Sequence, residues 1–459
     1  MIGNPPYIRI QALKEWAPQE VEFYKKTYRS ASKGNYDIYV VFVEKGLSLL
    51  NQDGRLGFIL PHKFFNAQYG EPLRGLISSG KHLAKVVHFG DQQIFENATT
   101  YTCLMFFAKT GRDEFEFEKV DNLESWRLAE ENGNIGKLPS NQVTTTEWNF
   151  SVGRGAGLFE QLSKLPVKLG NVCKFFVGMQ TSADTVFLFK QIRNETPNTI
   201  EVFSKELNEW VLIESALLKN VVRSGSIGRF WAKPTALILF PYSLENFGSA
   251  TLISQSVFQE QFPLAWNYLV RNKKLLQNRE KNAFNDAQWY RFGRNQNIGV
   301  WEQRKLLVPY MITELCAYDD ISTKMYFINV TTGGYGLTII PGSFSYPYLC
   351  GLLNSKLLDF YLKHISTTFH GGYFAANKQY IEQLPIRTIN FSNPEDVKHH
   401  DQMVALVERM LELHRRTPLT PLEQDHLARE IAATDAQIDR LVYELYGLTE
   451  EEIRIVEGV

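Results

Sequence analysis

Hydrophobic and polar positions in the first quarter of the chain alternate between the period of a helix and the period of a strand. Apolar side chains recur at helical spacing over residues 36–50, and Gly54 interrupts the run. The short apolar segment 56–60 predicts a strand that ends at Pro61. The pattern continues with a predicted helix over 71–79 and predicted strands over 84–89 and 101–108. This order predicts an α/β fold, the second half of a doubly wound, Rossmann-like sheet that ends in a hairpin.

The last sixty or so residues carry a purely helical pattern. From residue 398 onward, two amphipathic stripes are separated by Thr417 and Pro418, and the second stops at Gly447. We expect two helices that form an antiparallel hairpin with their acidic faces in solvent. A coil that binds a partner or drives oligomerisation is the alternative, because an amphipathic stripe is compatible with either arrangement.

Composition places the chain among ordinary globular proteins. Its 459 residues allow about two to four domains, and 13% aromatic residues are enough for sizeable cores. The four cysteines are far apart without a Cys-x-x-Cys pair, which indicates a reducing compartment and argues against structural zinc. No apolar run approaches the roughly 18 residues of a membrane span, and the N-terminus lacks a signal-peptide pattern. We therefore expect a cytoplasmic protein without a metal site.

The net charge of −1 hides two strongly charged segments. Residues 215–305 contain thirteen Lys and Arg against five Asp and Glu, whereas residues 395–459 contain seven against fifteen. Basic and aromatic residues interleave at 289–294, a composition that suits contacts with phosphates and bases. An ordinary solvated surface is the alternative explanation.

The most informative motif is Asn4-Pro5-Pro6-Tyr7. The side-chain carbonyl of Asn4 and the backbone carbonyl of Pro5 can accept hydrogen bonds from the two N–H bonds of an amine. Methylation of an aromatic amine requires acceptors of this kind. The two prolines fix φ and lack N–H donors, so the loop is expected to be extended and rigid. Tyr7 offers a flat face for a base, which reaches such a pocket only after leaving the duplex stack. The alternative is an ordinary proline-rich turn.

Together with three later segments, this motif resembles the γ-class adenine-N6 DNA methyltransferases of restriction–modification systems. The resembling segments within residues 1–112 are 4–7, 35–39, 57–61 and 90–95. The resemblance implies methyl transfer from S-adenosylmethionine to N6 of a flipped adenine, with Tyr7 and Phe95 on the two faces of the base. The alternative interpretation of Phe95 is that its side chain belongs to the hydrophobic core and does not contact a base.

The position of the motif departs from the order seen in that family. There, the Gly-rich turn that binds S-adenosylmethionine lies upstream of the Asn-Pro-Pro-Tyr motif, whereas three residues precede the motif here. We therefore expect a chain that begins within a catalytic domain and lacks methyl transfer on its own, with the donor-binding half supplied by another chain or segment. The later run Gly153-Arg-Gly155-Ala-Gly157 follows no convincing apolar strand, so we interpret it as a linker before a helix at 158–163.

Residues 165–390 resemble the TaqI-type specificity domain, the target-recognition module of the same methyltransferase class. The resembling segments are 169–181, 265–274, 353–360, 370–373, 377–380 and 384–386. The resemblance implies binding of double-stranded DNA through basic side chains and through backbone that approaches closely at glycines. The candidate DNA-binding residues are Gln180, Thr181, Arg271, Lys273, Lys274, Arg291, Arg294, Gly371, Gly372 and Lys378.

The predicted organisation has three parts. They are a partial methyltransferase domain with its linker at 1–150, an α+β target-recognition domain at 151–395 and C-terminal helices at 396–459. The leading hypothesis is a site-specific, adenine-specific DNA methyltransferase. Two alternatives stay open, namely a DNA-recognition module without catalysis and the methylase and specificity part of a type IIG restriction enzyme.

Overall fold

The chain folds into two compact units. The computed structural model describes residues 1–95, 100–130, 133–244, 250–294, 297–321, 325–342 and 344–459. Unit 1 contains residues 1–161 together with 368–371, and unit 2 contains residues 162–367 together with 372–459. The C-terminal helices, predicted as a separate part, therefore fall within unit 2.

Unit 1 is an α/β structure built on one six-stranded sheet. Its strands are β1 (Ile2–Gly3), β2 (Arg55–Pro61), β3 (Leu83–His88), β4 (Thr102–Ala108), β5 (Glu114–Lys119) and β6 (Asn134–Pro139). Its helices are α1 (Ile10–Trp16), α2 (Pro18–Thr27), α3 (Tyr39–Leu49), α4 (Glu71–Ser79), α5 (Leu123–Arg127) and α6 (Ala156–Ser163), the last of which runs into unit 2. The strand order is β1-β2-β4-β3-β5-β6.

The predicted helices and strands of this region are confirmed. Helix α4 covers the predicted residues 71–79, and its Leu73 and Ile77 are fully buried. The hairpin partner β4 runs antiparallel to both β2 and β3 and lies between them. The sequence did not predict β5 and β6, where charged side chains alternate with apolar ones along Glu114–Lys119. One hydrophobic core joins α3 and α4 to this sheet.

Unit 2 is an α+β structure with several small sheets. Its helices are α7 (Leu169–Val172), α8 (Asp184–Phe187), α9 (Gln255–Gln261), α10 (Pro263–Arg271), α11 (Lys273–Gln277), α12 (Arg279–Asn282), α13 (Tyr346–Leu353), α14 (Lys356–Ile365), α15 (Lys378–Ile381), α16 (Pro394–Arg415), α17 (Pro421–Tyr446) and α18 (Glu450–Glu457). The strands that follow β6 in the chain are β7 (Cys173–Val177), β8 (Leu188–Phe189), β9 (Ile192–Arg193), β10 (Thr199–Ser204), β11 (Glu209–Glu214), β12 (Leu218–Val222), β13 (Ile227–Gly228), β14 (Trp231–Ala232), β15 (Ala236–Leu239), β16 (Tyr242–Leu244), β17 (Ala250–Leu252), β18 (Lys305–Pro309), β19 (Met311–Ile312), β20 (Tyr318–Asp320), β21 (Tyr326–Phe327), β22 (Gly334–Ile339), β23 (Thr368–Phe369) and β24 (Tyr373–Ala375). Of these strands, β23 belongs to unit 1. Among the described residues, the two largest sheets of unit 2 are β21-β12-β15-β8 and β20-β18-β22-β7.

The C-terminal helices begin and end at local signals in the sequence. A capping box of Thr420 and Glu423 begins α17, and Gly447 ends it in the left-handed conformation with φ of +67°. Helices α16 and α17 are the predicted pair. The third helix, α18, was not predicted, because it is short and buries no residue fully, although Thr449 and Glu452 form a second capping box.

Candidate functional site

The Asn4–Tyr7 motif lies at the carboxyl edge of the sheet in unit 1. Strand β1 pairs in parallel with β2, so the loop that follows Gly3 runs beside the end of β2. Strand β3 has the same direction as β2, because both are antiparallel to β4. The loop 89–95 after β3 therefore leaves the sheet at this same edge. Open α/β sheets bind their ligands at the carboxyl ends of their strands, and this edge is the candidate site.

The ring of Tyr7 is held in place by its hydroxyl group and by a neighbouring tyrosine. Its hydroxyl donates a hydrogen bond of 3.0 Å to the carbonyl of Ile59 in β2. Its ring meets the fully buried Tyr39 edge to face, with 6.4 Å between centroids. Burial raises the pKa of Tyr7 to about 12, so the hydroxyl stays protonated and remains a donor. The half-buried ring is therefore fixed at the edge of the site.

The other members of the motif divide between burial and exposure. Pro5 is buried, whereas Asn4 and Pro6 are exposed. Within the described parts of the chain, the Asn4 side-chain amide forms no hydrogen bond, so its carbonyl oxygen can accept from a ligand. The strand before it and the buried proline after it restrain the backbone of Asn4, so the exposed amide is held at this edge of the sheet.

Phe95 lies in the loop after β3 and is half-buried. Among the described residues it makes no ring contact with Tyr7, and the adjoining residues 96–99 lie outside the described part of the chain. The predicted role of Phe95 as the second face of a base slot therefore stays a prediction.

Two histidines at the same edge were not singled out from the sequence. His62 follows β2, His88 ends β3, and their ring centroids are 4.2 Å apart. Burial lowers the pKa of His62 to about 4. Burial, and then the neighbouring His62, lower the pKa of His88 as well. Both rings are consequently neutral at pH 7, which gives this edge an aromatic and uncharged wall. The positions of His62 and His88 at the ends of predicted strands were the signal by which the sequence could have identified them.

One face of the sheet in unit 1 exposes apolar side chains. Ile2 is 92% exposed and Phe106 is 39% exposed. A cavity of about 800 Å³ follows this face and is lined by residues of β2, β3, β4 and β5. Doubly wound sheets carry helices on both faces, so a face of this kind suits cover by a further polypeptide segment.

The Gly-rich run 153–157 does not have the geometry of a turn that binds S-adenosylmethionine. The single Gly-rich candidate from the sequence, the run 153–157, lies directly before and within the start of α6, and Gly153 and Gly155 have positive φ. The preceding strand β6 ends at Pro139 and has a mostly exposed pattern, so the run does not follow a buried strand. Its interpretation as a linker agrees with this geometry.

Most of the predicted basic DNA contacts in unit 2 are paired with acidic side chains. Arg271 contacts Glu209, Arg291 contacts Asp286 at 2.6 Å, and Arg294 contacts Glu280 at 2.9 Å. Asp286 and Glu280 belong to residues 215–305 themselves, so of these three pairs only Arg271–Glu209 reduces the basic excess of that segment. Lys273 and Lys274 are exposed, and the Lys273 ammonium lies 5.4 Å from the centre of the Trp289 ring.

The aromatic residues between these basic positions belong to the core. Trp289, Tyr290 and Phe292 are at most 2% exposed, so their rings are not available to bases. The expectation that the run 289–294 presents aromatic rings to DNA is wrong. A buried arginine that the sequence did not reveal organises this region. The Arg279 guanidinium donates to the carbonyls of four residues, namely Thr181, Leu276, Trp289 and Arg291.

The prediction that Thr181 contacts DNA also needs correction. Its side chain is fully buried, and its hydroxyl donates to Asp184 and accepts from the Ala183 N–H. A side chain in this position supports the fold of the loop and cannot reach a ligand in this conformation. The neighbouring Gln180 is half-buried and forms an isolated bridge with Arg294.

The remaining predicted positions are exposed. Gly371 and Gly372 both have positive φ, of +85° and +75°, which only glycine adopts without strain. Gly371 groups with unit 1, where the His370 N–H donates to the Tyr101 hydroxyl at 3.2 Å. Lys378 is exposed in unit 2, and its ammonium is 3.9 Å from a Glu382 oxygen.

Comparison with known proteins gives two family matches. Residues 1–95 match the Eco57I restriction-modification methylase family, and residues 259–386 match the TaqI-like C-terminal specificity domain. The chain is 27% identical over its whole length to the "Type II restriction enzyme and methyltransferase RM.Eco57I" of Escherichia coli, and it spans 47% of that protein. It is 21% identical over its whole length to the "Type II methyltransferase M.BstVI" of Geobacillus stearothermophilus, of which it spans 74%. Residues 1–95 are therefore similar to an Eco57I-type methylase and residues 259–386 to a TaqI-like specificity domain, in agreement with the resemblances given by the motifs.

A solved structure supports the fold. The DNA complex of the Type IIL restriction-modification enzyme MmeI matches all of this chain and 56% of the other, with a TM-score of 0.60 and 13% identity.

The described part of the chain contains no group of three or more His, Cys, Asp or Glu side chains placed to hold a metal. Likewise, none of the described helices is both long and apolar enough to cross a membrane. The four cysteines are buried and free.

Proposed function

We propose that this chain holds the target base and reads the target sequence in an adenine-specific DNA methyltransferase of a restriction–modification system. The observation that carries the proposal is the Asn4–Tyr7 loop. It presents an exposed amide next to a fixed aromatic ring at the carboxyl edge of the sheet. The methylase relatives and the specificity-domain match support the reaction class.

The proposed role of the loop is to position the base. The Asn4 carbonyl oxygen accepts an N–H of the exocyclic amine, and the ring of Tyr7 stacks on the base. Neither group has to form a covalent bond, so the contribution of the loop is to hold the exocyclic amine nitrogen of the base in a fixed position. The neutral His62 and His88 rings suit an uncharged aromatic base, because neither ring carries a charge that would have to be desolvated.

S-adenosylmethionine is the proposed methyl donor, and a polypeptide segment outside the described residues is proposed to bind it. The exposed apolar face with Ile2 and Phe106 supports such a segment, since helices of an α/β unit would cover it. We expect the 459-residue chain alone to incorporate no labelled methyl group into DNA.

The whole protein is proposed to resemble the type IIG arrangement, in which one polypeptide carries methylation and cleavage. The full-length match to a combined restriction enzyme and methyltransferase, of which this chain spans 47%, favours this candidate. DNA cleavage by the complete protein next to the methylated site would support it.

The test begins with selection of bound duplexes from a random DNA pool, which yields the target motif. Each adenine of the motif is then placed opposite an abasic site, which lowers the cost of flipping that base. We expect tighter binding at one adenine only. Replacing that adenine with purine, which lacks the exocyclic amine, is expected to remove the hydrogen bond to Asn4.

A double cycle links the amine to Asn4. The wild-type chain is expected to lose about tenfold in affinity with purine, and Asn4→Ala is expected to lose a similar factor and to become insensitive to purine. Asn51→Ala, an exposed asparagine before β2 at the opposite edge, is the matched control. Equal sensitivity of Asn4→Ala and wild type to purine would contradict the proposed role of the loop.

A further inference from the structure

A cavity of about 480 Å³ in unit 2 gathers basic side chains that the sequence did not single out. Lys190 follows β8, Lys205 follows β10 and Arg223 follows β12, and all three line the cavity. Leu188 and Phe203 supply apolar walls. The topology of three separate strand ends, and not proximity in sequence, brings these cations together.

The charge of this cavity is not balanced within the unit. In the described residues, Lys190, Lys205 and Arg223 form no ion pair, whereas Arg271, Arg291 and Arg294 each contact a carboxylate. Asp184 is the acidic member of the lining, and its carboxylate already accepts from the Thr181 hydroxyl. The lining thus carries three cations and one carboxylate, which leaves an excess of positive charge that an anion would offset.

We propose that this cavity binds a backbone phosphate of the target DNA, and this inference rests on the proposed function. Lysine and arginine at such a site neutralise the phosphodiester and release counterions, which supplies affinity without sequence information. Leu188 and Phe203 match the apolar face of the adjoining sugar. The cavity thus fixes the register of the recognition unit on the duplex, while base reading occurs elsewhere on the unit.

The experiment measures binding of the full chain to the selected duplex between 50 and 200 mM salt. The triple variant Lys190→Gln, Lys205→Gln and Arg223→Gln is expected to reduce the slope of log affinity against log salt by about 1, the value for one neutralised phosphate. The double variant Lys190→Gln and Lys205→Gln keeps the half-buried Arg223 and is expected to reduce the slope by less than the triple variant does. Both variants are expected to weaken selected and scrambled duplexes by the same factor, because phosphates are common to all sequences.

The matched control is Lys398→Gln, Arg429→Gln and Arg440→Gln, three exposed cations of α16 and α17 with the same change in charge. We expect this control to keep the wild-type slope within about 0.5. Duplex binding by the wild type with an unchanged slope in the triple variant would overturn this inference alone. No duplex binding by the wild type would overturn the proposed function as well. Binding of adenosine monophosphate is measured as well. If the triple variant loses this binding but keeps duplex binding, the cavity is assigned to a free nucleotide and the DNA assignment is overturned.

Discussion

Tyr7 has two separable functions, and substitutions at this one position distinguish them. The hydroxyl ties the motif to the Ile59 carbonyl at 3.0 Å, whereas the ring offers a stacking face. Tyr7→Phe removes the hydroxyl and keeps the aromatic ring. Tyr7→Leu removes both while it keeps an apolar side chain against Tyr39. Comparison of the two variants therefore isolates the contribution of the aromatic face to binding of a flipped base.

The magnitudes follow from these contacts. Tyr7→Phe loses one hydrogen bond to a half-buried carbonyl, which is expected to lower the free energy of unfolding of unit 1 by about 1 kcal/mol. Tyr7→Leu additionally loses the edge-to-face pair with Tyr39, for a total of about 2 kcal/mol. A base stacked on one aromatic ring gains about 1 to 3 kcal/mol, so loss of the ring is expected to weaken base binding by about 5- to 150-fold.

The assay is the affinity of each variant for the selected duplex with its target adenine opposite an abasic site. We expect Tyr7→Phe to bind within about threefold of the wild type and Tyr7→Leu to bind at least about fivefold more weakly. Urea unfolding measured in parallel confirms that each variant is folded at the assay temperature. Equal losses for Tyr7→Phe and Tyr7→Leu would refute the reasoning, because the hydroxyl and not the ring would then determine binding.

Three further predictions concern stability. Arg279→Lys is expected to destabilise unit 2 by about 3 kcal/mol in urea unfolding, because one ammonium cannot serve four carbonyls; wild-type stability would contradict this. Lys305→Met removes the buried ion pair between Lys305 and Asp320 and is expected to cost about 3–5 kcal/mol, which Asp320→Asn added to it partly restores; no restoration would contradict the pairing. Burial lowers the pKa of His62 from 6.5 to about 4, so the unfolded state takes up a proton first and His62 contributes a fall in stability of about 1.4 kcal/mol per unit from pH 6.5 towards pH 4. His62→Gln is expected to remove this contribution while that of His88 remains, and an unchanged pH profile would contradict it.

The parts of the fold that the sequence predicted were those with strong local signals. In helix α4, the apolar residues Leu73 and Ile77 recur at helical spacing, and Gly80 follows directly after the helix. Both features are visible in the sequence, and the structure buries Leu73 and Ile77 fully. The Asn4–Tyr7 loop was predictable because proline fixes its own φ and restricts the residue before it in any fold. These signals depend on neighbouring residues only.

The parts that could not be predicted depend on contacts between distant residues. Glu209 neutralises Arg271 from a strand 62 positions away, so a count of charges could not show that the pair cancels. Burial of Trp289 and Phe292 depends on how the small sheets close around Arg279, which the alternation of basic and aromatic letters does not encode. Lys190, Lys205 and Arg223 are far apart in sequence, and only the strand topology assembles them.

The most direct test of the central claim is a photochemical cross-link from the target base. The adenine identified by the abasic-site experiment is replaced with 5-iodouracil, the complex is irradiated, and the attached peptide is sequenced by mass spectrometry. If the motif holds a flipped base on the Tyr7 ring, the cross-linked residue is Tyr7, and Tyr7→Leu loses the product while Asn51→Ala retains it. A cross-link confined to unit 2, with none in the Asn4–Tyr7 loop, would contradict the assignment of this edge as the base-holding site.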